Sequence, residues 1–168
     1  MPIFRTKKIN QTFKTIRDVS LAILLCEGAG LLGAIFTTAD SAWYLSLHKS
    51  ELTPPDWLFA PVWTLLYALM GVAAWLVWQQ GPQKRRVFVA MILFFIQLAL
   101  NAWWSFIFFD QHSAGGALID IVLLWVAILA TIIAFARVSK AAAWLLLPYL
   151  AWVSFAAYLN WSIWLLNK

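Results

Sequence analysis

The sequence predicts an all-α integral membrane protein, a bundle of five transmembrane helices, on three observations. Of its 168 residues, 64% are hydrophobic and only 11% are charged, whereas a soluble domain is roughly half apolar and a quarter charged. The apolar residues fall into five runs of about 20 residues each, the length that crosses a hydrocarbon core. The 12 Lys and Arg residues stand in short blocks between those runs, which is how membrane topology is encoded. A mean hydropathy of +0.81 excludes a soluble enzyme and a disordered chain. The net charge of +5 and the isoelectric point near 9.6 are spread along the chain. A nucleic-acid partner would need them gathered into one water-facing patch, so none is expected.

Residues 1–18 form a basic amphipathic N-terminal segment. Arg5, Lys7, Lys8, Lys14 and Arg17 accompany Ile9, Phe13 and Ile16 at i, i+4, i+7. The pattern suits either a helix lying on an anionic membrane surface or a basic tail. Everything after it, 19–168, reads as one five-helix membrane domain. Span 1 runs over about 19–39. It is too long for a signal-peptide core and is followed by a poor cleavage site, Asp40-Ser41-Ala42, so it is expected to be retained.

The loop 40–56 carries Trp43-Tyr44 and Pro54-Pro55. A connection of that length is uncommon in a compact bundle and often acts as a lid. Pro54 and Pro55 fix φ and stiffen its second half. Trp43 and Tyr44 either plug the bundle mouth or anchor the loop at the interface. Span 2 covers 57–78, with Pro61 in its first turn, where a missing N–H costs little. A turn at 79–86 leads to span 3 at 87–109, and 110–116 leads to span 4 at 117–136. Only Arg137-Val138-Ser139-Lys140 separates that from span 5 at 141–166, so spans 4 and 5 are antiparallel neighbours.

The N-terminal segment and the connections 79–86 and 137–140 share one face and hold ten of the twelve cations; Lys49 and Lys168 hold the other. This bias predicts a cytoplasmic N-terminus in a multi-pass protein of a bacterial inner (cell) membrane.

An ionisable group inside a span is costly and is a functional candidate by default. Glu27 lies about 12 Å into span 1 at 1.5 Å per residue, either at a site or bonded to a neighbouring helix. Asp120, near the start of span 4, reads as a helix N-terminal charge partner. Gln97, Asn101 and Ser105 share one face of span 3 and can glue helices or line a pocket. Ala29/Gly33 and Gly30/Ala34 permit close helix approach, in a dimer or beneath a pocket. The single Cys26 and the separated His48 and His112 offer no metal-ligand spacing, so neither metal nor cofactor is expected.

Trp57, Trp78, Trp161 and Trp164 fall near span ends, where aromatic belts form. Trp63 and Trp152 fall deeper. Trp63 shares a face with Tyr67 and Gly71, and Trp152 shares one with Tyr149, Ala156 and Leu159. Such a surface is either core packing or a flat slot for a planar ligand.

With these residues assembled, the chain resembles the TspO/MBR family of tryptophan-rich sensory proteins, translocator proteins and peripheral-type benzodiazepine receptors. The resemblance rests on Trp43-Tyr44-x-x-Leu47-x-Lys49 and on Pro54-Pro55-x-Trp57-x-Phe59-x-Pro61-Val62-Trp63-Thr64-x-Leu66-Tyr67 with Met70-Gly71. It continues through Gln97-Leu98-x-Leu100-Asn101-x-x-Trp104-Ser105-x-x-Phe108-Phe109. It ends with Leu146-x-Pro148-Tyr149-Leu150-x-Trp152-x-x-Phe155-Ala156-x-x-Leu159-Asn160.

The resemblance implies a five-helix homodimer with a pocket beneath the first loop that binds porphyrins, haem-like tetrapyrroles, sterols or benzodiazepine-type drugs. By matching position, the pocket includes Trp43, Trp63, Asn101, Trp152, Ala156 and Leu159; Tyr67, Trp104 and Tyr149 join them as expected ligand contacts. Trp63 and Trp152 become the redox partners if porphyrin is degraded in light.

The chain departs from the family at Lys49-Ser50, where Lys-Pro is usual, so a less rigid lid is expected. It departs again at Trp161, which stands where a sterol motif wants Tyr, with Lys168 as the next cation. The leading expectation is a receptor or sensor that binds tetrapyrroles and modulates their metabolism or a stress response. A light- and oxygen-dependent porphyrin-degrading enzyme and a tetrapyrrole or sterol transporter are the alternatives. Few buried charges leave no evident ion-coupling relay for active transport.

Overall fold

The computed structural model describes the backbone from residue 3 to residue 168 and the side chains from Gln11 onward, so Ile9 and the first three cations of the basic segment lie outside the described side chains. Every regular element among the described residues is helical. In order they are α1 (Ile3–Phe36), α2 (Ala42–Ser46), a 3-10 turn (Asp56–Leu58), α3 (Phe59–Trp78), α4 (Arg85–Ser105), a π turn (Phe106–Asp110), α5 (Ala114–Ala136), α6 (Lys140–Leu145) and α7 (Leu147–Leu166). Five segments are long and apolar enough to cross a membrane: Gln11–Phe36, Asp56–Trp78, Arg85–Asp110, Ala114–Ala136 and Lys140–Leu166.

The basic segment and span 1 are one continuous helix, with no break near residue 18. Neither Gly nor Pro interrupts residues 3–27, so nothing in the backbone stops helix propagation there. The helix ends at Phe36, earlier than expected, where the Thr37 hydroxyl donates back to the Gly33 carbonyl at 3.2 Å. Ser41 then caps α2, accepting from the Tyr44 N–H at 3.3 Å.

The expected fifth span is divided. Pro148 has no N–H, and its ring crowds the carbonyl four residues back, that of Trp144. The α6 hydrogen bonding therefore closes at Leu146, whose N–H donates to Ala143 at 3.2 Å, and α7 begins again with Leu150 donating to Leu146 at 3.0 Å. Span 4 starts three residues early because the Ser113 hydroxyl caps it from Gly116.

Packing arranges the five spans in a closed ring: α1 against α3 and α4, α4 against α5, α5 against α6 and α7, and α6 back against α3. Two glycines let helices meet closely. A Cβ on Gly71 would lie 2.5 Å from the Ile23 Cα, and one on Gly30 would lie 2.3 Å from the Tyr67 ring. Gly33 faces Ala102 and Ser105 of α4. Gly30 and Gly33 of α1 are thus spent inside the protomer.

Met70, Phe94, Ile128, Phe135, Leu146, Tyr149 and Val153 fill the centre of the ring. Leu24, Leu31, Ile35, Phe88, Ile119 and Val122 point outward, with Ile35 72% exposed. An apolar exterior of that extent belongs in a bilayer, where lipid takes the place of a buried partner. The protein is a multi-pass integral membrane protein.

Candidate functional site

Three spans bring the predicted residues together. Helix α3 supplies Trp63 and Tyr67, one turn apart on its inner face. Helix α4 supplies Asn101, and α7 supplies Tyr149 and Trp152. The Tyr67 hydroxyl donates to Asn101 Oδ1, and Asn101 Nδ2 donates to the Tyr149 hydroxyl at 3.1 Å. One amide therefore satisfies two buried phenols from different helices and ties three spans at one level. The Trp63 ring lies 5.6 Å from Tyr67 at a shallow angle and 6.2 Å from Tyr149 edge-on.

Trp152 packs edge-on against Phe59 at 5.9 Å and beside Phe155 at 5.8 Å. Its indole Nε1 is buried without a hydrogen-bond partner. A buried donor left free costs about 1–3 kcal/mol, so it is a contact ready for an acceptor. Ala156 packs against the same core, and Leu159 is buried one turn further along α7.

The polar ladder on α4 uses each rung differently. Gln97 Nε2 lies 3.9 Å from Met70 Sδ while its Oε1 has no partner. Asn101 makes the tyrosine bridge, and Ser105 accepts from Thr37 beyond the end of α1 at 3.4 Å. The ladder thus joins α4 to several neighbours and also walls the aromatic cluster. Asp120 differs from expectation. The Ser113 cap moves the start of α5 back, which leaves Asp120 beyond the first turn, buried, with Oδ2 unpartnered. Glu27 is half-buried on α1 beside Cys26.

Trp43 and Trp104 belong to a second cluster at the lid end, built on Tyr44, Phe108, Phe109, Ala117 and Ile163. Trp104 stacks on Phe108 at 4.9 Å and donates from Nε1 to Asn160 at 3.0 Å. Trp43 stacks on His112 at 4.6 Å and meets Phe108 edge-on at 5.4 Å. His112 can hold that position because its backbone is left-handed, at φ 52. The π turn creates this cluster, since Gln111 donates to Phe106 five residues back. Such a bulge shifts the following side chains around the helix, here turning Phe108 and Phe109 inward.

The 40–56 loop lies across this cluster and is fastened at several points. The Lys49 ammonium sits 3.5 Å over the Tyr44 ring. The Asn167 side chain accepts from the His48 N–H and donates to the His48 carbonyl, both at 2.9 Å. Ser50, standing where the family's proline usually is, accepts in its side chain from Leu52 N–H at 3.2 Å. A hydroxyl thus holds the turn by a hydrogen bond. Pro54 is half-buried and Pro55 exposed as the lid meets α3. Burial, and after it the negative charge of Asp56, push the Tyr44 phenol above its ordinary range, so Tyr44 packs as a neutral ring at physiological pH.

Four contributors escape sequence reasoning. Phe59 and Asn160 stand within the family-like stretches but carry no periodic signal of a role. His112 and Asn167 act through a backbone turn and a chain end, which no spacing rule reaches. Among the described residues no group of His, Cys, Asp or Glu is placed to hold a metal ion.

Comparison with known proteins agrees with this architecture. The model of the TspO/MBR family matches residues 22–165. The chain is 50% identical over 155 residues to the tryptophan-rich protein TspO of Chlorobaculum tepidum, covering 92% of this chain and 98% of that one. It is 42% identical over 147 residues to the protein of the same name from Archaeoglobus fulgidus, covering 87% and 94%. It is 40% identical over 147 residues to the translocator protein of Bos taurus, covering 86% and 87%.

Proposed function

The chain belongs to the TspO/MBR family, and on that premise we propose that it is a membrane receptor or sensor for porphyrins or related tetrapyrroles. The binding site is the aromatic cluster of Trp63, Tyr67, Asn101, Tyr149 and Trp152, with Ala156 and Leu159 along one wall. The observation that carries this reading is the pairing of flat aromatic surface on α3 and α7 with an unpartnered indole donor on Trp152. A tetrapyrrole has the matching parts, a planar apolar ring and peripheral acceptors. Such sites combine apolar walls with a few placed polar groups. Trp43, Tyr44, Pro54 and Pro55 act as the lid over the mouth, and Trp104 supports the lid through Phe108. Occupancy shifts the lid, and this is what a partner protein or a metabolic enzyme would sense. In this reading the N-terminus lies in the cytoplasm, and the chain pairs with a second copy. Helix α1 offers the face for pairing, since 11% of its apolar window is buried against 33–39% in the other spans.

Protoporphyrin IX titrated in the dark into purified protein tests the site. Tryptophan fluorescence should quench to saturation, and Trp63→Phe with Trp152→Phe should weaken binding by roughly tenfold, the loss typical of an aromatic anchor. Unquenched fluorescence at saturating porphyrin overturns the proposal.

A second reading, light- and oxygen-dependent porphyrin degradation, is favoured by the succession Trp63, Tyr67, Tyr149 at 5.6 and 6.2 Å from the indole. Indole and phenol are the side chains that donate an electron to an excited ring. Illumination of the same complex should then yield photoproducts that the double variant does not form.

A further inference from the structure

The cations of the basic end set orientation, and that task needs only their number on one side. Four of them do more than add charge. Lys84, Arg85 and Arg86 on the α3–α4 turn and Arg137 on the α5–α6 turn line one cavity of about 520 Å3, with Gln80, Val87 and Val138 completing the lining. The two turns are far apart in the chain, and neither contains Asp or Glu. All four cations are exposed, and the ion pair among the described residues lies elsewhere, between Arg17 and Asp18. Helix α4 begins in this cavity with no side-chain cap and no acid in its first turn. Its free N–H groups add partial positive charge to that of the side chains. Like charges that share a cavity repel, and an anion between them reverses the sign of that energy.

We propose that this cavity binds a phosphate group. Its size lies within the roughly 300–1,000 Å3 of small-molecule sites. Arginine forks match phosphate oxygens two at a time. The cavity also sits where the spans end, at the level of the phospholipid phosphates, which favours an anionic lipid as the source. A soluble phosphate ester presents the same chemistry, and the test separates the two.

Native mass spectrometry would count the lipids retained by the purified full chain from an equal mixture of phosphatidylglycerol and phosphatidylcholine. The wild type should retain the anionic lipid over the zwitterionic one by well over tenfold, since each of the four cations at a membrane surface contributes about a fivefold factor. Arg86→Gln with Arg137→Gln should cut the preference by roughly 25-fold, the product of two such factors. Lys14→Gln with Lys140→Gln removes the same charge from the same end outside the cavity lining and should leave it intact. Arg86→Lys with Arg137→Lys keeps every charge and thus the fold and insertion. It should retain a reduced preference, which separates loss of the site from loss of the protein. No preference in the wild type, or equal loss in the two Gln pairs, overturns the proposal. Displacement of the lipid by millimolar glycerol 3-phosphate keeps the phosphate site and assigns it to soluble esters; resistance to displacement assigns it to lipid.

Discussion

Asn101 shows how much one side chain can hold. It accepts from Tyr67 and donates to Tyr149, so Asn101→Ala leaves two buried hydroxyls without a partner. At about 1–3 kcal/mol for each orphaned group, the variant should unfold at a markedly lower temperature, as followed by circular dichroism in detergent. An unchanged midpoint would mean that water replaces the amide. Gly71 and Gly28 give a matched pair. A methyl on Gly71 meets the Ile23 backbone at 2.5 Å, whereas one on Gly28 meets nothing within 4 Å. Gly71→Ala should therefore force α1 from α3 and destabilise by about 1–3 kcal/mol, while Gly28→Ala should be neutral or slightly stabilising through helix propensity. Equal melting of both variants would show that α1 yields freely. Asn101 was legible in the sequence because it shares a face with Gln97 and Ser105. Its partners are not legible there, since periodicity places a residue on a face and says nothing of which helix stands opposite. Trp104 illustrates the same limit. It is an expected ligand contact, and the sequence does not show that its nitrogen donates to Asn160 or that its ring stacks on Phe108.

Among the helices, the departures from a plain five-rod bundle gather where backbone hydrogen bonding is rearranged. Hydropathy sees five apolar runs and cannot see the π turn at Phe106–Asp110, because one extra residue per turn changes no composition. The α6–α7 break was present in the sequence as Pro148 and was masked by the continuous apolar run around it. The lid, legible as a loop too long for its connection, owes its closure to contacts that no local pattern encodes. Trp43 rests on His112, and Asn167 clasps the His48 backbone from the far end of the chain. Asn167→Ala removes both clasping bonds, each worth about 0.5–1.5 kcal/mol. Amide hydrogen exchange over 42–53 should then rise several-fold, while exchange in the middle of α3 and α5 stays unchanged. Faster exchange throughout the bundle would show that Asn167 supports the fold and not the lid.

Taken together, the bundle is strongly polarised along its axis. The end formed by the start of α1 and the turns at 79–86 and 137–140 carries ten cations and one acid, Asp18. The lid end carries Asp40, Glu51, Asp56 and Asp110 with Lys49 and Lys168. This asymmetry was readable from loop charges before any helix was placed, because topology depends on counts in short connections and not on packing. In the orientation proposed above, the basic end faces the cytoplasm and the 40–56 loop, with the mouth it would cover, faces the opposite side. A tetrapyrrole would then enter from outside the cytoplasm or from the bilayer. The chain suits a direct test, since its one cysteine, Cys26, is fully buried and a thiol needs access to react. Ser46 on the lid and Gln83 on the basic turn are both exposed. In intact cells, a membrane-impermeant maleimide should label Ser46→Cys directly and Gln83→Cys only after permeabilisation, with the parent chain unlabelled throughout. The reverse pattern would put the 40–56 loop in the cytoplasm and the cationic cavity outside, against the charge bias of the connections, and would overturn the proposed orientation.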